Sequence, residues 1–260
     1  MSLLIDTHAH LYLPDFDNDR DSVVETAAHQ GIQKIILPNI DSTSIGPMNA
    51  LADRFPGICF PTMGLHPTSV KENYGEELDR VKQELKSHTY YAIGETGIDL
   101  YWDKSFFKEQ CIAFRAQLDL SLQYSLPVII HARESFGEIL ELLEDYKDKG
   151  LKGVFHAFGG TFGIARKIIS YGFKLGIGGI LTYKKSTLPE VIRMTGIEHL
   201  VLETDSPYLT PVPFRGKRNE SSYLRYVADM LGNITNLSQT EIARTTTSNA
   251  LQLFQPDKHA

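Results

Sequence analysis

Cysteine is almost absent from this sequence. Cys59 and Cys111 are the only two, too few for the disulfide framework that staples small secreted folds. Long apolar runs are missing as well, and none approaches the roughly 18 residues that suggest a membrane span. The segment from Met1 to Asp21 brings acids and histidines where a signal peptide needs a basic stretch followed by an apolar one. A reduced, cytoplasmic location with no membrane association is the expectation. There is no basic excess: 26 Lys and Arg stand against 32 Asp and Glu, a formal charge of −6. A broad positive field for coating long nucleic acid is thereby excluded, and any nucleic-acid contact should be local to a pocket or its rim. Nor is there a solenoid-type repeat or a low-complexity linker.

What is present is a rhythm. Eight short apolar runs, Leu3–Thr7, Gln33–Pro38, Cys59–Gly64, Tyr90–Gly94, Pro127–Ile130, Gly153–Phe155, Phe173–Ile177 and Leu200–Glu203, recur along 260 residues. Several are apolar at nearly every position, as strands buried on both faces are. Segments of helical periodicity lie between and after them: Asp19–Gln30, Gly75–Lys86, Lys104–Ser125, Phe136–Tyr146, Ile164–Ser170, Pro189–Thr195, Ser222–Leu231 and Gln239–Leu253. Eight βα units in one uninterrupted chain predict a single α/β domain over residues 1–260, a (β/α)8 TIM barrel. An open doubly wound sheet is the competing architecture, but it usually has fewer strands.

Barrel enzymes build their sites at the C-terminal ends of the strands. Five of the nine histidines fall there: His8, His10, His66, His131 and His156. Side chains two apart on an extended segment share a side, so His8 and His10 can reach one ion, for which neutral imidazole is a good ligand. Glu95 follows the fourth run between two glycines and has two oxygens with which to bridge two cations. His131 and His156 end consecutive strands. Asp205 follows the eighth run, which neighbours the first in a closed barrel, and is thereby brought towards His8 and His10. These six residues predict a two-metal centre.

Around them stand residues for support and recognition. Asp6 shares the parity of His8 and is placed either to orient an imidazole or to cap a turn. Asp99 has the parity of Glu95. Glu203 lies one layer below Asp205, where a buried carboxylate needs a partner and a ligating histidine is the natural one. His66 is assigned to substrate, as a donor to phosphate or leaving group. Arg133 faces the same pocket, with a guanidinium suited to phosphate oxygens. Arg218, with Arg215, Lys217 and Asn219, forms a local basic patch for a phosphate-contacting rim. Tyr101 and Trp102 offer faces for stacking on bases, unless core packing claims one of them. His29, His88, His199 and His259 fit no strand-end pattern.

The ordered set resembles the TatD family of metal-dependent deoxyribonucleases, within the amidohydrolase-like superfamily. It is carried by Asp-Thr-His-Ala-His at 6–10, Gly-Leu-His-Pro at 64–67, Gly-Glu-Thr-Gly-Ile-Asp at 94–99, His131-Ala-Arg133, His156-Ala-Phe158, Glu-Thr-Asp-Ser-Pro at 203–207, Arg218-Asn219-Glu220, Asn249-Ala250 and Leu253-Phe254. Ser221 stands where many relatives have proline. The resemblance implies one metal on His8, His10 and Asp205, another on His131 and His156, Glu95 bridging, and phosphate on His66 and Arg133. It implies a nuclease that uses magnesium or manganese, with zinc or nickel in some structures, often a 3′-to-5′ exonuclease. Ligand chemistry alone favours zinc or manganese, because magnesium prefers oxygen donors.

The expected reaction is hydrolysis of phosphodiesters in DNA ends or single strands, Asp205 accepting the proton of water, by a monomer or small homo-oligomer. Two alternatives stay open. One is a hydrolase of small phosphoesters, lactones or amides, although superfamily branches with a carboxylated lysine place it where Glu95 stands. The other is a non-catalytic metal-binding scaffold.

Overall fold

The computed structural model describes residues 3–255; His259 lies outside them. Eight strands run in parallel, each register following its neighbour in chain order: β1 (Leu4–Asp6), β2 (Ile32–Leu37) and β3 (Cys59–Pro61) in one ladder, then β4 (Ile93–Asp99), β5 (Val128–Arg133), β6 (Gly153–Phe155), β7 (Lys174–Ile177) and β8 (Leu200–Leu202) in a second. Two parallel bridges join the ladders. Met63 pairs with Ile93 between β3 and β4, and Ala9 pairs with Ser206 just beyond β1 and β8. Backbone bonds from Thr7 N to Leu202 O (3.0 Å) and from Asp205 N to His8 O (2.8 Å) complete the second closure. The predicted (β/α)8 barrel is the observed fold.

Helices α1 (Arg20–His29), α2 (Ser42–Arg54), α3 (Tyr74–Ser87), α4 (Phe107–Tyr124), α5 (Phe136–Glu144), α6 (Phe162–Ser170), α7 (Leu188–Thr195), α8 (Leu224–Thr235) and α9 (Gln239–Phe254) follow the strands. Eight overlap the expected segments. Helix α2 was not expected, because Gly46 and Pro47 break its pattern. It is started by a reciprocal cap in which the Asp41 side chain accepts from Thr43 N and the Ser44 side chain accepts from Asp41 N. No helix of the described residues is long and apolar enough to cross a membrane.

Alternation along the strands sorts the core into two clusters. Residues such as Leu4, Ile35, Leu37, Val128, Ile130, Leu175 and Leu202 pack outward with helix side chains such as Val24, Leu51, Phe114 and Leu231. The other parity, Ile5, Ile36, Phe60, Ala92, Ile129, Val154 and Val201, forms a separate cluster with Ala250, Leu253 and Phe254 of α9. Those inward residues fill the barrel, and α9 closes its N-terminal mouth. At β7 the inward place belongs to Gly176, where a Cβ would stand 2.2 Å from Glu203 Oε2. The missing side chain makes room for that buried carboxylate. The core is therefore apolar at one end of the barrel and ionisable at the other, which is where the site lies.

Candidate metal centre

Pleat parity delivers the site residues to the C-terminal mouth. Beyond inward Ile129 and Val154 come His131 and His156; beyond Val201 come Glu203 and Asp205. In β4 the register slips between Ile93 and Thr96, and Glu95 turns inward at that slip. Gly97 lets β5 approach, since a Cβ there would meet His131 O at 2.0 Å. Asp205 holds a positive φ of 56°, a conformation uncommon for a residue with a Cβ, pinned by its N–H on His8 O and by Tyr208 N on its own carbonyl (2.7 Å).

Glu95, 2% exposed, sits at the centre, and its two oxygens divide the histidines. Oε2 faces His8 Nε2 at 3.1 Å and His10 Nε2 at 3.7 Å. Oε1 faces His156 Nε2 at 2.8 Å, His131 Nδ1 at 2.9 Å and His66 Nε2 at 3.3 Å. Asp205 Oδ1 lies 3.7 Å from both His8 and His10. Ligand atoms of His8, His10 and Glu95, and of His8, His156 and Asp205, gather within 4.8 Å of one another. Four imidazoles and two carboxylates converging in a buried mouth suit a divalent cation.

Hydrogen bonds around the ring fix which nitrogen is free. Tyr12 Oη donates to Pro38 O at 2.5 Å, so the oxygen accepts from His10 Nδ1–H at 2.9 Å. The His10 lone pair is left on Nε2, towards Glu95 and Asp205. His66 is the reverse case. Its Nδ1 accepts from Thr68 N at 3.1 Å, so the neutral ring carries its proton on Nε2. His66, Glu95 and His131 are also close enough to form a ligand group, but a nitrogen bearing a proton donates rather than ligates. Tyr12 and Thr68 went unnoticed in the sequence, although Tyr12 lies two residues from His10 and Thr68 two from His66.

Charge follows from burial and neighbours. Burial pushes His8 down to about 4 and His10 well below the usual imidazole value, and it lowers His66 too. Burial also opposes charge on His131 and His156. Asp99 and Glu95 outweigh it and raise His131, while Glu95 and Glu203 hold His156 well above its usual range. For Glu95 burial acts upward, but His156, His66 and His8 together keep the carboxyl well below the ordinary value. Burial, with Glu95 and Glu203 nearby, pushes Asp205 up to about 8.

The surrounding residues divide. Asp99 Oδ2 meets His131 Nε2 at 2.8 Å, and its Oδ1 accepts from Tyr101 N and Trp102 N at 2.9 and 3.1 Å. Glu203 Oε1 lies 3.6 Å from His156 Nδ1 and accepts from Ala157 N. Arg133 lines the cleft with its guanidinium 3.9 Å over the Tyr101 ring, and it makes no ion pair among the described residues. Two expectations require correction. Asp6 orients no imidazole; its carboxylate accepts from Thr204 N and Thr204 Oγ1 at 2.9 and 2.6 Å, because β1 ends at Asp6 and the chain rotates before His8. Arg218 is no free phosphate rim. It is bidentate to Asp19 at 2.8 and 2.7 Å, donates to Asp15 O and Glu220, and lies 4.4 Å over Phe16. The loop after β8 folds back onto the segment before α1 and spends the guanidinium there.

A parallel barrel that gathers imidazoles and carboxylates at the C-terminal ends of its strands is the arrangement of a metal-dependent hydrolase. The chain belongs to the TatD related DNase family, whose model matches residues 5–255. It is 35% identical over 254 residues to the uncharacterized metal-dependent hydrolase YabD of Bacillus subtilis, covering 97% of this chain and 99% of that one. It is 30% identical over 258 residues to the 3′-5′ ssDNA/RNA exonuclease TatD of Erwinia billingiae, covering 97% and 99%. The crystal structure of the TatD homologue YjjV from Escherichia coli superposes with a TM-score of 0.91 at 30% identity, covering 97% and 98%.

Proposed function

We propose that this protein hydrolyses phosphodiester bonds of nucleic acid, acting from single-stranded ends as a 3′-to-5′ exonuclease with two divalent cations. His8, His10 and Asp205 would hold one ion and His131 and His156 the other, with the Glu95 carboxylate between them. The division of the histidines between the two Glu95 oxygens supports this assignment. Bound there, the ions supply Lewis-acid charge at the scissile phosphate and acidify water. Asp205, whose Oδ1 stands 3.7 Å from both His8 and His10 at the mouth, would accept the proton of water on its carboxylate. His66 donates Nε2–H to a phosphate or leaving oxygen. Asp99 and Glu203 keep the His131 and His156 rings in place.

The observation that carries the choice of bond is Arg133, a guanidinium that lines the mouth of the centre, lies over the Tyr101 ring and has no acid partner among the described residues. An anionic substrate fits there; a neutral amide or lactone leaves the cation without a counterpart. The name of the Erwinia billingiae relative supports single strands and the 3′-5′ direction. The test is metal per chain, with hydrolysis of oligonucleotides, small phosphoesters and amides measured over magnesium, manganese and zinc. Two ions and oligonucleotide cleavage are expected, and Arg133→Ala should raise KM at wild-type metal content. Amide hydrolysis without phosphodiester cleavage would overturn the reading.

A further inference from the structure

The cleft above the metal centre has a volume of about 630 Å³ and changes character with height. Its floor is ionisable: Glu95, His131, His156 and Asp205. Its upper walls carry Trp102 and Tyr208, 68% and 52% exposed. Large aromatic rings left in water forgo much of the burial energy available to them. Trp102 follows β4 and Tyr208 follows β8, strands that stand opposite each other in an eight-stranded barrel. The two residues therefore line the cleft from opposite strands, Tyr208 with its ring 6.3 Å from that of His10.

The main chain at Trp102 is held in place. Its backbone N–H and that of Tyr101 both end on Asp99 Oδ1, the carboxylate whose other oxygen meets His131. The two rings meet edge to face at 4.9 Å, and the Arg133 guanidinium lies 3.9 Å over Tyr101 and 5.2 Å over Trp102. A cation for phosphate, an exposed indole and an ionisable floor thus share one cleft. A flat apolar group one sugar away from a phosphate is a nucleobase, and base–aromatic stacking is indifferent to sequence.

We propose that Trp102 and Tyr208 clamp the nucleobase adjoining the bond to be cut, and that this clamp selects unpaired ends over duplex. The proposal rests on the phosphodiester reading above and names what that site holds besides the phosphate. A base inside a duplex has both faces covered by its neighbours and must unstack before it can enter.

Trp102 is the sole tryptophan of the chain, so its emission reports on its own ring. The metal-loaded protein is titrated with a deoxynucleoside 5′-monophosphate and with deoxyribose 5-phosphate, which lacks the base. Saturable quenching by the nucleotide alone is expected; an equal response to both, or none to the nucleotide, would overturn the clamp. Kinetics are then compared on single strands with a normal and an abasic terminal nucleotide. Trp102→Ala and Tyr208→Ala should each raise KM on the normal strand by on the order of 5- to 150-fold, and Trp102→Phe should recover most of it. Combining either alanine variant with the abasic end should add no further loss, because both remove the same contact. Losses that multiply would mean a general structural defect and sink the proposal. Should the wild type cleave no strand at all, the phosphodiester reading fails, and the fluorescence titration alone decides the clamp.

Discussion

Tyr12→Phe isolates one hydroxyl group on which His10 depends. Tyr12 is 3% exposed and its Oη bridges His10 Nδ1 and Pro38 O. Without the oxygen, a buried N–H and a buried carbonyl lose their partner, costing on the order of 1–3 kcal/mol of stability, or roughly 2–10 °C in Tm for a chain of this size. The larger consequence is electronic. Freed of Tyr12, the neutral ring can carry its proton on Nε2, the atom that faces Glu95 and Asp205, and in that tautomer it cannot ligate. Loss of such an outer partner typically weakens metal binding about 10- to 100-fold, or about 1.4–2.7 kcal/mol. The assay is a chelator-competition titration with zinc or manganese on folded wild-type and variant protein, with Tm recorded in parallel. A folded Tyr12→Phe protein whose metal affinity stays within about twofold of wild type would refute the argument that this bond sets the tautomer.

Metal affinity should rise with pH. Coordination needs neutral imidazoles and ionised carboxylates, while Glu95 and Glu203 hold His156 protonated above its usual range and burial holds a proton on Asp205 up to about 8. Binding must displace those protons, so calorimetry in buffers of different ionisation enthalpy should show proton release and affinity increasing from about pH 6 to 8; a flat profile would contradict it. Arg218→Ala should lower Tm and leave the KM for oligonucleotide unchanged. Asp19 is more than a third exposed, so the pair contributes only about 0.5–1 kcal/mol, with the Phe16 contact adding to it. A raised KM at unchanged Tm would return Arg218 to the substrate rim.

The strands were legible from their apolar runs, and His131, His156 and Asp205 because they continue the two-residue period of inward Ile129, Val154 and Val201. His8, His10 and Glu95 were found instead by their place at a strand end, since the chain rotates after Asp6 and β4 slips before Thr96. His131 lies in β5, and His156 and Glu203 directly follow β6 and β8, so the parity of the buried apolar positions still governs them. The helix α2 was hidden because propensity reads Gly46 and Pro47 as breaks, whereas the cap at Asp41 and packing of Ile45, Met48 and Leu51 decide otherwise. Tyr12 was overlooked for a different reason: tyrosine near a strand end reads as core, and only the bond to His10 shows what its hydroxyl does.

The misread residues share a location. Asp6 bonds Thr204 and Arg218 bonds Asp19, each pairing residues almost two hundred positions apart. Both pairs cross the seam between β1 and β8. Neighbouring strands elsewhere are mostly joined by continuous ladders, but here the backbone contributes a single bridge and a few bonds. Side chains do the rest of the closing: Thr7 Oγ1 on Leu202 O, Asp6 on Thr204, and Arg218 tying the loop after β8 to the segment before α1. Local parity cannot assign a side chain whose partner arrives only when the barrel shuts. The same seam carries His8 and His10 on one side and Asp205 on the other. Residues read from the sequence as belonging to the chemistry thus act one step away from it, by holding together the two strand ends that carry the proposed ligands His8, His10 and Asp205.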